Sequence, residues 1–311
     1  MYDLIIVGAS AAGVSSAIYA ARRNLNFIIL AKDVGGEVAR SGEIENYLGF
    51  KHTDGFELAQ KFQEQLDFYK VSVKQPYIVK QVQSSKLKAQ SFEVIAENAD
   101  GKEETFKAKA VIVASGIHPK LLGVPGEDKL WGKGVTYCTT CDGPLFKGKV
   151  TATIGGGNSA LESALMMAGI ATKVYLINKN NVFKGEQVLI DKVNGAKNVE
   201  VVYNANTTEF VIGENGFLKG VTYRGNDGIN HTVEVQGAMV HIGNIPNSDM
   251  VDADKDQFKN IVVNDCCETS IPGLFAAGDV TNVPFKQIII AAGQGATATL
   301  SAVEYLNRLK G

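Results

Sequence analysis

Residues 4–13 read Leu4-Ile5-Ile6-Val7-Gly8-Ala9-Ser10-Ala11-Ala12-Gly13. Four apolar residues in a row, without alternation, mark a strand buried on both faces of a parallel sheet. A tight glycine turn follows, and then a helix of small residues is expected from Val14 to Arg23. Gly8 permits the turn, and Gly13 lets the helix pack close to its strand. The first N–H groups of such a helix lack intrahelical partners and suit a pyrophosphate. Ser10 stands where this pattern usually has its second glycine, and serine is small enough for the backbone still to approach a phosphate. A second strand, Phe27-Ile28-Ile29-Leu30, is expected to end near Asp33. That is about the spacing at which an acid meets a ribose hydroxyl.

The unit recurs. Val150 to Ile154 reads as a strand, Gly155-Gly156-Gly157-Asn158-Ser159-Ala160 as the turn, Leu161 to Ala168 as the helix and Val174 to Ile177 as the next strand. One glycine turn is a weak signal; two complete strand–turn–helix–strand units are a strong one. They imply two dinucleotides, most simply FAD and a nicotinamide. The expected class is α/β, with two Rossmann-like, three-layer dinucleotide-binding domains. Further on, Gly273-Leu274-Phe275-Ala276-Ala277-Gly278-Asp279 is a buried strand ending in Gly-Asp. An acid there can hydrogen-bond a sugar-alcohol hydroxyl, and the glycine lets a ligand come near.

The run Cys138-Thr139-Thr140-Cys141-Asp142-Gly143-Pro144 lies just upstream of the second turn. Cysteines two residues apart can close a small disulfide ring that opens readily, and Asp142 supplies an acid for the proton that thiol–disulfide exchange moves. Half a zinc site is the competing reading, and it needs further Cys or His ligands. Cys266 and Cys267 are adjacent, a poor chelating pair, and His52, His118, His231 and His241 show no ligand spacing. No metal is expected. Cys266-Cys267 precedes Glu268-Thr269-Ser270 and reads as two ordinary thiols at a surface turn.

The bulk numbers agree with a soluble globular enzyme. The chain has 311 residues, 45% hydrophobic and 21% charged, with a net charge of −2. That length suggests two domains. The charge balance offers nothing to nucleic acid or to an acidic membrane surface. No apolar run is long enough to span a bilayer, and no basic n-region precedes the first strand. Four cysteines are too few for a secreted disulfide scaffold, so a cytoplasmic location is expected.

Two segments read as crossings between domains: Ser115-Gly116-Ile117-His118-Pro119 and Gly243-Asn244-Ile245-Pro246-Asn247. The expected division is an FAD-binding domain over 1–115 and 246–311, with an NAD(P)H-binding domain over 116–245, carrying the cysteines, inserted within it. His118 is expected to be structural.

Taken in order, the Gly8–Gly13 turn, Glu45-Asn46-Tyr47, the cysteine run, GGGNSA and AAGD resemble the low-molecular-weight thioredoxin reductase family. Gly134-Val135-Thr136-Tyr137-Cys138, the run CDGPLFKGK over 141–149, and Val283 to Ile290 are closer still to the reductase part of alkyl hydroperoxide reductase flavoprotein subunits. The resemblance implies that Gly8, Ser10 and Gly13 hold the FAD pyrophosphate. It implies that Gly35, Gly36 and Glu37 form a loop near the flavin, with Glu37 in place of the usual Gln. Asn46 would lie near the isoalloxazine, Asp279 would bind the ribitol, and Gln287 and Ile288 would sit at a helix N-terminus near the pyrimidine edge. Gly156, Gly157, Asn158, Ser159 and Ala160 would face the nicotinamide dinucleotide. Gly116, Gly278, Asn178 and Lys179 complete the cofactor-facing set. Cys141 would be the flavin-proximal sulfur, Cys138 the attacking one, and Asp142 the general acid/base.

The implied activity is disulfide reduction, from NAD(P)H through FAD and the Cys138–Cys141 pair to a thioredoxin- or glutaredoxin-like protein, within a peroxide-reducing system or outside one. A homodimer is implied by the family. Two departures matter. The chain begins at the first strand, without the N-terminal thioredoxin-like relay of the alkyl hydroperoxide reductase flavoproteins, so a separate protein is expected to take the electrons. After the strand ending near 177 the sequence reads Asn178-Lys179-Asn180-Asn181-Val182-Phe183-Lys184, without the arginines of NADPH-using relatives. Arginine forks suit a 2′-phosphate better than lysine does, which favours NADH. The alternatives are a ferredoxin-fed reductase, an NADH oxidase of the same fold, and a silent flavoprotein.

Overall fold

A computed structural model describes residues 1–41, 43–84 and 91–309. The chain forms two compact units. One comprises Met1–Ser41, Glu45–His118 and Ile245–Gly311; the other is built on Pro119–Asn244.

In the first unit the strand Tyr2–Ala9 lies between Phe27–Val34 and Glu103–Val113, parallel to both. Leu274–Ala276 adds a further parallel strand beside Glu103–Val113. The first half of Glu103–Val113 leaves this parallel core and pairs antiparallel with Phe92–Asn98, which pairs in turn with Tyr77–Ser84. The helices Ala11–Arg22 and Ile288–Arg308 pack closely against each other beside the sheet. On the other face Ile5, Val7, Ile28, Leu30, Val111 and Val113 bury against Val79, Phe92, Val94 and Ile261. The result is three layers: helices, parallel sheet and antiparallel meander.

The second unit repeats the plan. Its parallel sheet runs Val135–Thr136, Gly237–Val240, Val150–Ile154, Lys173–Ile177, Val199–Val202. Val174, Leu176 and Met239 face the helix Asn158–Ala168 through Leu161, Ala164 and Met167. Ala152, Ile154, Ile177, Ala238 and Val240 face the meander Asn206–Ile212, Leu218–Arg224, Asn230–Glu234 through Phe210, Leu218 and Val221. Both sheets have continuously apolar strands because both of their faces are covered.

Both dinucleotide helices start three residues earlier than the sequence pattern suggests, at Ala11 and Asn158. The turn passes directly into the helix, so Ser10 and Gly157 are the N-caps. The strand Phe27–Val34 runs past Leu30, which places Asp33 inside it. The crossings contain two short strands, Ile117–Pro119 and Asn244–Pro246, that pair with each other. Among the described residues no helix is long and apolar enough to cross a membrane.

Candidate active site

The Gly8–Gly13 turn leaves no room for side chains. Gly8 has φ +103°, and a Cβ on it would lie 2.3 Å from the Ala114 carbonyl oxygen. A Cβ on Gly13 would lie 1.9 Å from the Gly8 carbonyl oxygen. Strand, turn and helix are therefore in backbone contact, which only glycine allows. Ser10 caps the helix without spending its side chain there; its Oγ donates to the Gly35 carbonyl at 2.6 Å. The first turn of the helix carries no acid. The arrangement suits a pyrophosphate: free N–H groups, a positive helix end and a tight cradle.

Around this turn, Gly36 has φ +54° and packs beside Ser10. Asp33 is exposed, and its Oδ1 accepts the Gly36 N–H at 3.0 Å, so part of its hydrogen-bonding capacity holds its own loop. Glu37 is exposed next to it. Asn46 Nδ2 donates to Gln287 Oε1 at 3.2 Å, which brings together two predicted residues 241 positions apart. Gln287 caps the helix Ile288–Arg308, whose first turn is free of acids. Gly278, with φ +78°, fits against Ala12 and Ala291. Asp279 follows it, and burial pushes its carboxyl up to about 6, opposed by the Lys286 ammonium. A carboxyl short of water at a strand end suits a hydroxyl-bearing ligand better than bulk solvent does. Gly116, with φ +67°, has open space where a Cβ would sit, and its carbonyl accepts the Asn247 N–H at 3.0 Å. His118 Nδ1 lies 3.0 Å from Asn247 Oδ1.

In the second unit Gly155 has φ +146°, and a Cβ on it would lie 2.2 Å from the His241 carbonyl oxygen. A Cβ on Gly156 would meet Asn178 Oδ1 at 2.5 Å. Around Gly157 the space is open. Asn158 holds Glu186 twice, accepting its N–H at 2.8 Å and donating to its carboxylate at 3.0 Å. Ser159 is exposed and Ala160 is buried against the turn. Asn178 is 1% exposed; its amide donates to the Val182 carbonyl and accepts the Asn180 N–H. Its side chain therefore shapes the loop beneath Gly156. Lys179 and Lys184 are exposed.

The cysteines lie in the same unit as this turn. Cys138 and Cys141 form a disulfide with a Cα–Cα distance of 5.3 Å. They flank a single helical turn, Thr139–Asp142, capped by the Cys138 sulfur, which accepts the Cys141 N–H at 3.3 Å. One turn is too short to hold itself. Side chains of the unit hold it instead. Thr136 donates its hydroxyl to Asp142 Oδ2 and accepts the Cys138 N–H at 3.2 Å. Tyr137 donates at 2.7 Å to Glu127, a carboxylate 2% exposed that also accepts the Leu122 and Gly123 N–H groups. Burial and Glu127 raise the Tyr137 phenol, so it stays a donor. Both cysteines and Asp142 keep part of their surface in solvent. The set can exchange a disulfide with an incoming one and shuttle the proton involved.

Glu127, Thr139, Ser163 and His241 are functional neighbours that the sequence pattern does not mark, because each meets the cysteine run from a distant element. Cys266 is exposed, but Cys267 is buried, with φ +60°, and burial pushes its thiol up to about 11. Only the first of the two is a surface thiol. Among the described residues no cluster of His, Cys, Asp or Glu could hold a metal ion.

Comparison with known proteins follows the same lines. The alkyl hydroperoxide reductase flavoprotein of Escherichia coli is 41% identical over 312 residues, covering 99% of this chain and 59% of that protein. A protein named NADH dehydrogenase from Ferdinandcohnia aciditolerans is 40% identical, covering 99% and 58%. The chain thus spans under two thirds of the length of these curated relatives. The thioredoxin reductase of Streptococcus pyogenes has the same fold, with a TM-score of 0.91 at 32% identity, covering 99% of both chains. Residues 2–295 match the pyridine nucleotide-disulphide oxidoreductase family. Two glycine-turn units, one bearing a closed CxxC, are what this match requires, and the chain belongs to that family, whose members imply FAD and NAD(P)H as cofactors.

Proposed function

We propose that this protein is a flavin-dependent disulfide reductase that passes electrons from NADH to a thioredoxin- or glutaredoxin-like protein through the Cys138–Cys141 pair. The observation that carries this reading is the closed disulfide with Asp142 anchored beside it, in the unit that also holds the Gly155–Ala160 turn. Bound FAD and nicotinamide supply two-electron reducing chemistry that no side chain here possesses. Gly8, Ser10, Gly13, Gly36, Asn46, Asp279 and Gln287 would hold the first, and Gly156 to Ala160 the second.

The chain's own work begins with the open dithiol. The Cys138 thiolate attacks one sulfur of the partner's disulfide, a mixed disulfide forms, and one partner thiolate leaves. The Cys141 thiolate then attacks the Cys138 sulfur. The Cys138–Cys141 disulfide re-forms and the second partner thiolate leaves. Asp142 takes and returns the protons, with Thr136 holding its carboxylate in place. Asp142→Asn should slow exchange with a thioredoxin-like protein by about 100-fold, while reduction of the flavin by NADH stays within twofold. Equal losses in both half-reactions would refute the role.

Two features favour NADH over NADPH. The loop after Ile177 carries exposed lysines and no arginine fork, and the Glu186 carboxylate is tied to Asn158 at the start of the helix, where a further phosphate would be repelled. Anaerobic mixing with each nucleotide tests this: fast bleaching of the flavin band by NADH and slow bleaching by NADPH is expected, and the reverse would overturn it. The relative named NADH dehydrogenase motivates a second reading, electron delivery to an acceptor other than a disulfide. Steady turnover that survives Cys138→Ser would favour it. The homodimer belongs to the proposal, and light scattering should give twice 33.3 kDa.

A further inference from the structure

Thr139 lies between the two cysteines, yet its side chain points away from solvent; the residue is 5% exposed. Its Oγ1 is 2.6 Å from Ser163 Oγ and 2.7 Å from His241 Nε2. Ser163 is 4% exposed and sits on the dinucleotide helix Asn158–Ala168. His241 follows the central strand Gly237–Val240, and its carbonyl is the group that crowds Gly155. Three distant segments therefore meet at one hydroxyl, at the base of the dithiol turn. Burial alone pushes the imidazole down to about 4, so the ring is neutral at physiological pH and brings no charge to the sulfurs.

We infer that Thr139, His241 and Ser163 are positioning residues that hold the two cysteines together in the dithiol form and thereby set the reduction potential of the pair. In the disulfide form the covalent bond itself fixes the cysteine spacing. In the dithiol form, which gains two electrons and two protons, that constraint is gone, and a one-turn helix cannot replace it. The Thr139 anchor then limits how far the thiols separate, which raises their effective concentration and favours closure. Breaking the anchor frees the dithiol more than the disulfide. The unpaired histidine and serine left behind cost the same in both forms, so that cost cancels from the redox equilibrium and shows only in stability. A hydrogen bond worth about 1 kcal/mol predicts a shift of about fivefold toward the dithiol, which is about 20 mV for a two-electron couple.

The inference rests on the redox role proposed for the pair, and its test avoids the nicotinamide step. The complete flavoprotein is equilibrated anaerobically in glutathione buffers of graded ratio and alkylated, and the peptide carrying Cys138 and Cys141 is quantified by mass spectrometry. Thr139→Val and His241→Leu should each shift the midpoint about fivefold toward the dithiol. Thr139→Ser and His241→Gln, which keep the hydrogen-bonding group, should stay within twofold of the parent. The double Thr139→Val/His241→Leu variant should shift no further than the larger single. The shift should be equal at pH 6 and pH 8, as a neutral ring requires. A Thr139→Val protein with a parental midpoint and only a lower melting temperature would reduce the network to ordinary packing. A shift confined to pH 6 would overturn positioning in favour of a charged imidazole. Should His241→Leu fail to fold, the Thr139→Val and Thr139→Ser pair decides alone. If the parent pair titrates in glutathione but no nicotinamide opens it, the proposed function falls while the positioning result stands.

Discussion

At the Gly8–Gly13 turn, the space that a side chain would need is filled by backbone at both glycines. At the Gly155–Ala160 turn it is filled at Gly155 and Gly156 and empty at Gly157. The same sequence signature thus covers two packing solutions. In the first, each glycine joins strand to helix, and Ser10 turns its side chain aside to Gly35. In the second, two glycines serve the protein's own packing, against His241 and Asn178, and the third is free for a ligand's approach. A glycine in such a fingerprint is therefore not evidence of ligand contact until its surroundings are known.

The comparison can be broken by substitution. Gly13→Ala should have the largest effect, because its Cβ meets a backbone carbonyl at 1.9 Å that cannot move without the strand. A loss of about 3 kcal/mol or more is expected, with most of the flavin gone from the purified protein. A yellow protein with a parental melting temperature would contradict the description of that turn. At the second turn, Gly155→Ala and Gly157→Ala should separate. The first combines φ +146° with a 2.2 Å contact and should cost about 2 kcal/mol or more. The second, at φ −99° in open space, should leave the melting temperature nearly unchanged and weaken NADH binding about tenfold. Equal destabilisation by both would erase the distinction between packing and ligand glycines.

A smaller effect concerns the histidine beside that turn. The His241 imidazole is held near 4, below its ordinary 6.5. Its contribution to stability is full above pH 6.5 and is lost as pH falls toward 4, because the unfolded chain takes up a proton that the folded one refuses. His241→Gln should flatten the acid limb of the stability profile over that window, by up to about 3 kcal/mol at its foot. An unchanged acid limb in chemical-denaturation curves at pH 4 to 7 would show the ring to be solvated.

Much of this was legible in the sequence. The turns, the CxxC and the inserted arrangement are local or periodic signals, and Leu4–Val7 and Val150–Ile154 announce their burial by lacking polar alternation. The Asn46–Gln287 pairing was reachable only through family resemblance, since 241 residues separate the two. Asp33 and Asn178 illustrate a further limit. Their positions were marked, but one side chain partly holds its own turn and the other is buried beneath Gly156. The Thr139–His241 contact had no signal at all, because its partners lie 102 residues apart and neither belongs to a motif. Helix starts were misplaced because small residues such as Ala11 and Ser159 carry no apolar periodicity.

The central claim is that nicotinamide electrons reach the Cys138–Cys141 pair. The most direct measurement is a thiol count on the complete flavoprotein, reduced anaerobically with NADH and alkylated without any partner protein. The account predicts that the peptide carrying Cys138 and Cys141 passes from disulfide to dithiol, while Cys266 and Cys267 give the same count before and after. Flavin that bleaches while the 138–141 disulfide stays closed would contradict it.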